Sequence, residues 1–209
     1  MKLLPYGEKA ILVEFEDLDS TVSAFIGMER NKPAGVIELV PAARTILVRV
    51  DLAKIGLRAA AEWISQVQSE PSSSEPRSYE TKSPEPLLVK VRYDGQDLAS
   101  VAELLGMSVE SLIKWHTSTP WNCAFTGFAP GFGYLAGGNK NVPRLETSRQ
   151  SVPTGAVGLA GEFCGIYPRS SPGGWQLIGS TDLELWNLDR VPPALITPGV
   201  SVRFEAVSK

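Results

Sequence analysis

FTGFAPGFGYLAG, residues 125–137, takes nine of its 13 residues from glycine, proline and the aromatics. Glycine and proline return in VPTGAVGLAG at 152–161, and with aromatics in IYPRSSPGGWQ at 166–176. No 3.6-residue period runs through these stretches, and their short apolar runs stop at Gly or Pro every few residues. Such punctuation predicts many short strands joined by tight turns, a β-barrel or compact β-sheet domain from Asn122 onward. Glycine permits a positive φ and close backbone approach, and proline fixes φ, so the connecting loops are rigid without being helical. Rigid loops can present backbone N–H groups and aromatic faces to a small ligand. The same residues would serve equally well as tight barrel turns plugged by aromatic rings.

Working back toward the N-terminus, DLASVAELLG reads as a helix with Asp97 as cap and Gly106 as stop. Ser108 can cap a second short helix, whose Val109, Leu112 and Ile113 share a face. Leu87 to Tyr93 alternates as a strand. Before it lies SEPSSSEPRSYETKSPEP, residues 69–86, dominated by Ser, Pro and Glu. That composition cannot bury enough apolar surface to offset the entropy of ordering, which predicts a linker. The expected organisation is a small unit at 1–68, the linker at 69–86 and a larger domain at 87–209. In the small unit, Ala10–Phe15 and Thr45–Val50 read as strands, and Ser20–Arg30 as a helix capped by Asp19 or Ser20. Leu52–Val67 carries Ile55, Ala59, Trp63 and Val67 at helical spacing. Strands alternating with helices predict a small α/β domain of the ferredoxin-like kind, and the whole chain is expected to be α+β.

The composition narrows the function classes. With 20 basic and 23 acidic residues among 209, the net charge is −3. There is no electrostatic footprint for nucleic acid or an anionic membrane. No apolar run approaches the ~20 residues that span a bilayer, and residues 1–10 do not read as a signal peptide, so a cytoplasmic location is expected. Two cysteines and one histidine argue against both a disulfide framework and a multi-histidine metal site. Cys123 and Cys164 are expected to be buried strand residues. GxxxxGK[ST], GxGxxG and GxSxG are all missing, so no cofactor site on this chain is expected. Arg144 and Arg149 bracket a short polar loop; an arginine fork suits a carboxylate or carboxamide, and two solvated surface charges would look the same. His116 ends an amphipathic helix, as a packed histidine or as a general base.

FTGFAPGFGYLAG, VPRLETSRQSVPTGAVGLAGEFCGIYP and SPGGWQLIG together resemble a bacterial family that contains the B subunit of 5-oxoprolinase, allophanate hydrolase subunit 1 and a sporulation-kinase inhibitor. LPYGEKAILVEF and VPAARTILV resemble its opening segments, so the likeness covers nearly the whole chain except the linker. The resemblance implies a cyclophilin-like β-barrel after the N-terminal domain. It also implies a larger cyclophilin-like partner, the C subunit of 5-oxoprolinase (allophanate hydrolase subunit 2-like), with a further partner in its A subunit. The assembled complex would use ATP to hydrolyse a small cyclic or urea-like amide. The alternative within the family is a regulatory protein that inhibits a sensor histidine kinase. Carried over by position, His116, Arg144 and Arg149 are the expected catalytic residues. Gly127, Phe128, Pro130, Gly131, Tyr134, Tyr167, Gly173, Gly174, Trp175 and Gln176 are the expected substrate-binding set. Three positions depart from the family's pattern: Trp121-Asn122 replaces an aromatic-led pair, Ser148 a usual proline, and Ser180 a frequent arginine.

Overall fold

The computed structural model describes residues 1–69 and 85–208; all of the expected linker except its ends lies outside them. Contacts divide the chain into two compact units, Met1–Glu80 and Thr81–Lys209.

The first unit is a four-stranded antiparallel sheet with two helices. Its elements are β1 (Lys2–Pro5), β2 (Ala10–Glu14), α1 (Leu18–Arg30), β3 (Val36–Pro41), β4 (Thr45–Val50) and α2 (Leu57–Ser69), in sheet order β1-β2-β4-β3. Alternation places Ile11 and Val13 of β2, and Ile46, Val48 and Val50 of β4, in one core with Ala24 and Met28 of α1 and Ala60 and Ile64 of α2. The connectivity is ββαββα. A ferredoxin-like βαββαβ chain would supply one edge strand after its second helix, whereas here β1 enters from the N-terminus to hold an edge beside β2.

Asp17, not Asp19 or Ser20, caps α1: its carboxylate accepts from Ser20 N at 2.8 Å. Asp17→Ala is therefore expected to lower the urea midpoint of the full chain; an unchanged midpoint would remove the cap's role. In α2 the buried face runs through Leu57, Ala60, Ile64 and Val67, while Ala59 is exposed. Ile55 belongs to the preceding turn, its N–H donating to Asp51 O at 3.0 Å.

The second unit contains β5 (Leu87–Val91), α3 (Leu98–Leu104), α4 (Val109–Ser118), β6 (Trp121–Thr126), β7 (Gly133–Ala136), β8 (Arg149–Val152), β9 (Ala156–Ala160), β10 (Phe163–Ile166), β11 (Ser171–Gly173), β12 (Gln176–Ser180) and β13 (Ser201–Ala206). Seven strands form one sheet in the order β12-β9-β10-β7-β6-β13-β5, and β8 pairs with β11. The sheet nearly closes on itself into a barrel. Arg92, just past β5, exchanges backbone hydrogen bonds with Ser180 of β12 at 2.9 and 2.8 Å, and the Arg92 guanidinium grips Asp182 at 2.6 and 2.8 Å.

Alternation gives the barrel strands two apolar faces. Val157 and Leu159 of β9, Cys164 and Ile166 of β10, Leu135 of β7 and Ile178 of β12 join the main core with Val101, Ala102 and Leu112 of the helices. Ala156 and Ala160, Phe163, Tyr134 and Leu177 fall in a second cluster with Phe132, Tyr167 and Trp175. Cys123 and Cys164 are buried in β6 and β10.

Candidate functional site

The second cluster is where the Gly/Pro-aromatic loops converge. Phe132 lies edge-on to Tyr134, Tyr167 and Trp175, with ring centroids 5.1–5.5 Å apart. Tyr134 stacks on Phe125 at 4.4 Å and meets Trp175 at 5.6 Å. Gly165 makes this packing possible: a Cβ there would lie 2.7 Å from Phe132 Cζ and 2.9 Å from Trp175 Cζ3. The rings thus lie directly on the β10 backbone. Phe128 leans edge-on against Phe132 and Tyr167, yet it is 58% exposed and holds φ at +63°. A bulky residue rarely adopts this left-handed conformation, and local strain of this kind marks functional loops.

Of the expected substrate-binding residues, Phe128, Tyr134, Tyr167 and Trp175 come together here, with Gly173 and Gly174 forming the backbone beside them. The Tyr167 hydroxyl sits against Gly173. Burial pushes the Tyr134 and Tyr167 phenols above their ordinary values; nearby Arg144 pulls both part of the way down. Both phenols are therefore neutral near pH 7. Gly127, Pro130 and Gly131 line an adjoining cleft of about 420 Å³, with Phe128, Trp186, Ala194 and Thr197. Gln176 is buried, and its side-chain N–H donates to Pro143 O at 3.3 Å.

The three expected catalytic residues separate. Arg144, on the segment before β8, is exposed and stands beside Gly174. Arg149, first residue of β8, has its fork filled from within the protein. Nη2 donates to both Asp97 carboxylate oxygens at 2.7 and 2.8 Å, and Nη1 donates to Trp175 O at 3.0 Å. Asp97 also accepts from Leu177 N at 2.6 Å. This carboxylate, which a helix-cap reading assigns to α3, makes no side-chain cap hydrogen bond; it anchors Arg149 and the start of β12 instead.

His116 is fully buried on α4, outside the aromatic cluster. Its Nδ1 is 2.7 Å from the Tyr93 hydroxyl and its Nε2 3.2 Å from Cys164 Sγ. Its ring packs against Phe204 at 4.3 Å, and its carbonyl accepts from Trp121 Nε1 at 2.9 Å. Burial lowers its pKa to about 3. A sealed, neutral imidazole with both nitrogens engaged is a packing element in this geometry and does not meet the site the loops build.

Phe132, Phe125, Ser148, Trp186 and Asp97 also shape the region. The first two stand inside the quoted 125–137 motif; Ser148 shows in the sequence only as a departure from the family's pattern, Asp97 only as a helix cap, and Trp186 carries no local signal. Among the described residues no group of three or more His, Cys, Asp or Glu could hold a metal ion, and no helix is long and apolar enough to cross a membrane.

A nearly closed barrel fronted by rigid aromatic loops, with a small α/β unit ahead of it, defines the class. Residues 1–196 match the family model described as carboxyltransferase domain, subdomain C and D, and the chain belongs to that family. It is 37% identical to the 5-oxoprolinase B subunit of Escherichia coli O157:H7 over 204 residues, covering 95% of this chain and 92% of that one. Identity to the protein of the same name from Bacillus subtilis is 32% over 220 residues, covering 97% and 91%. A conserved uncharacterized protein from Pyrococcus horikoshii superposes with a TM-score of 0.58 at 32% identity, covering 100% and 98% of the two chains. Longer solved chains contain a part similar to this one. It spans 40% of one matched at a TM-score of 0.75 and 28% identity. It spans 22% of the Kluyveromyces lactis urea carboxylase, whose TM-score of 0.74 at 18% identity is a likeness of fold.

Proposed function

We propose that this chain is one component of an ATP-dependent complex that hydrolyses a small cyclic or urea-like amide, with 5-oxoproline the first substrate to test. The observation that carries this reading is the end-to-end similarity to proteins named as the B subunit of 5-oxoprolinase. A protein so named works beside other chains, and we assign as partners a larger cyclophilin-like protein, the C subunit, together with the A subunit. The barrel is then the cyclophilin-like half of a shared site. Hydrolysis needs an activated water or nucleophile, a proton carrier and stabilisation of developing charge within mutual reach. Here the only histidine is sealed in the core, while the loop cluster offers rigid aromatic walls, backbone groups and an arginine. The chain therefore binds and orients, and its partners bring the water-activating groups and the nucleotide site. Exposed Phe128, Trp186, Leu188 and Val191 form apolar surface of the kind such a partner would cover.

The test is reconstitution. This chain and its two partners are purified separately and combined, and ATP-dependent formation of glutamate from 5-oxoproline is followed. Turnover is expected only when this chain is present with its partners. Robust turnover by the chain alone, or undiminished turnover without it, would sink the proposal. Failure to associate with the larger cyclophilin-like partner would move the weight to the kinase-inhibitor reading.

A further inference from the structure

We infer that the cleft between the β6–β7 loop and Trp186 receives the ring of a small neutral cyclic amide, with any charged substituent of the ligand left outside it. For the choice of 5-oxoproline as ligand this rests on the function proposed above; the place of the ring on this chain, and the part of the ligand taken, go beyond it.

Two aromatic side chains flank the cleft without being buried in the core. Phe128 is 58% exposed and holds φ at +63°, and Trp186 is 37% exposed. A left-handed backbone costs Phe more than it would cost Gly or Asn, and most of the ring gains no burial in return. Both walls are fixed by their backbones. In the β6–β7 loop, Gly127 N donates to Phe132 O at 3.2 Å and Phe132 N to Ala129 O at 3.0 Å. Opposite, Leu195 N donates to Leu185 O at 2.9 Å and Asn187 N to Pro193 O at 3.1 Å, so Trp186 pairs with Ala194 in a short antiparallel bridge. Gly131, at φ +83°, lets the walls meet: a Cβ there would lie 2.9 Å from Trp186 Cβ. The cleft they bound has a volume of about 420 Å³.

The lining selects the ligand. No Asp, Glu, Lys, Arg or His lines the cleft, so a carboxylate seated there would lose water and gain no cation. The lining residues do carry neutral polar groups. The Thr126 and Thr197 hydroxyls, the Trp186 indole N–H and the backbone N–H groups of Phe128 and Gly131 make no hydrogen bond among the described residues. Donors of this kind suit a carbonyl oxygen, and a hydroxyl can accept from an amide N–H. A flat ring matches aromatic walls. In 5-oxoproline the lactam would enter the cleft and the carboxylate would point away from it.

The experiment follows the Trp186 indole N–H by NMR in the full chain, its resonance identified by its loss in Trp186→Phe. The chain is titrated with 2-pyrrolidinone, with γ-butyrolactone, which has the same shape and no N–H, and with acetate. 2-Pyrrolidinone is expected to shift the resonance saturably, at concentrations on the order of millimolar for so small a ligand. The lactone should bind about threefold to tenfold more weakly, and acetate should give no saturable shift. Thr197→Val keeps the shape, loses the hydroxyl and should weaken the lactam about threefold. Phe128→Asn, which accepts the left-handed backbone, should weaken it at least about fivefold. No saturable shift with 2-pyrrolidinone, acetate binding as well as the lactam, lactone and lactam binding equally, or indifference to both variants overturns the site. Unchanged KM for 5-oxoproline in reconstituted complexes carrying Thr197→Val or Phe128→Asn would remove the cleft and leave the complex's function standing. Lactam binding with the expected dependence, beside a complex that does not turn over 5-oxoproline, would keep the cleft and remove that function.

Discussion

Arg149→Ala is expected to lower the unfolding free energy by roughly 3 kcal/mol, the largest stability loss of the charged surface substitutions in this chain. The side chain ties together three parts of the barrel unit: β8, which carries it, Asp97 at the head of α3, and the Trp175 carbonyl before β12. Removing it leaves the Asp97 carboxylate facing only the Leu177 N–H. With the two side chains 21% and 12% exposed, that carboxylate would be poorly hydrated. Breaking one partner of a buried pair costs about 3–5 kcal/mol, and the residual exposure places this case at the lower end. Four of the five tryptophans, Trp115, Trp121, Trp175 and Trp186, stand in the barrel unit, so fluorescence during urea unfolding reports on it. Arg144→Ala is the control and should shift stability by no more than about 0.5 kcal/mol. The double variant Asp97→Ala/Arg149→Ala should lose less than the two single losses summed, because the second removal leaves no stranded charge. Equal midpoints for wild type and Arg149→Ala would show that the pair is solvated and carries nothing.

The contrast between the two arginines marks where the sequence stops being legible. Both sit in the same polar segment, five residues apart, and nothing local separates a donor that is spent from one that is open. The difference comes from Asp97, 52 residues before Arg149. Its position ahead of SVAELL gives it the look of an ordinary helix cap. Ser108, by contrast, was legible because its partner is local: its hydroxyl accepts from Ser111 N at 3.1 Å. The barrel itself could be read from the Gly/Pro punctuation, since turns are short-range. Two strands of the first unit were not. β1 is a short, mostly exposed edge ending at Pro5. In β3 a register shift between Val36 and Glu38 breaks the alternation that betrays a strand. The aromatic cluster was half legible: the motif shows Phe132 and Tyr134 two residues apart on one face, but only the folded sheet brings Trp175 and Tyr167 across to meet them.

His116 gives the clearest dependence on pH. Burial lowers its folded pKa to about 3, from an ordinary 6.5, so protons bind more readily to the unfolded chain. Stability is therefore fully present above pH 6.5 and falls as pH drops from there toward 3. At pH 5 this single group is expected to remove about 2 kcal/mol relative to pH 7. Carboxylates also titrate in acid, so the measurement is a difference: urea midpoints of wild type and His116→Gln at pH 7 and pH 5. The variant should start less stable, having lost the contacts to Tyr93 and Cys164. It should lose about 2 kcal/mol less between the two pH values, since its side chain does not titrate. A direct reading is available because the chain has one histidine, hence one set of imidazole resonances. Those signals should keep their neutral positions down to about pH 4 while the fold persists. A titration centred near 6.5 would mean that solvent reaches the ring, and it would return His116 to consideration as a proton carrier. A flat profile would leave the acid limb of any pH–rate curve of the complex to groups other than His116.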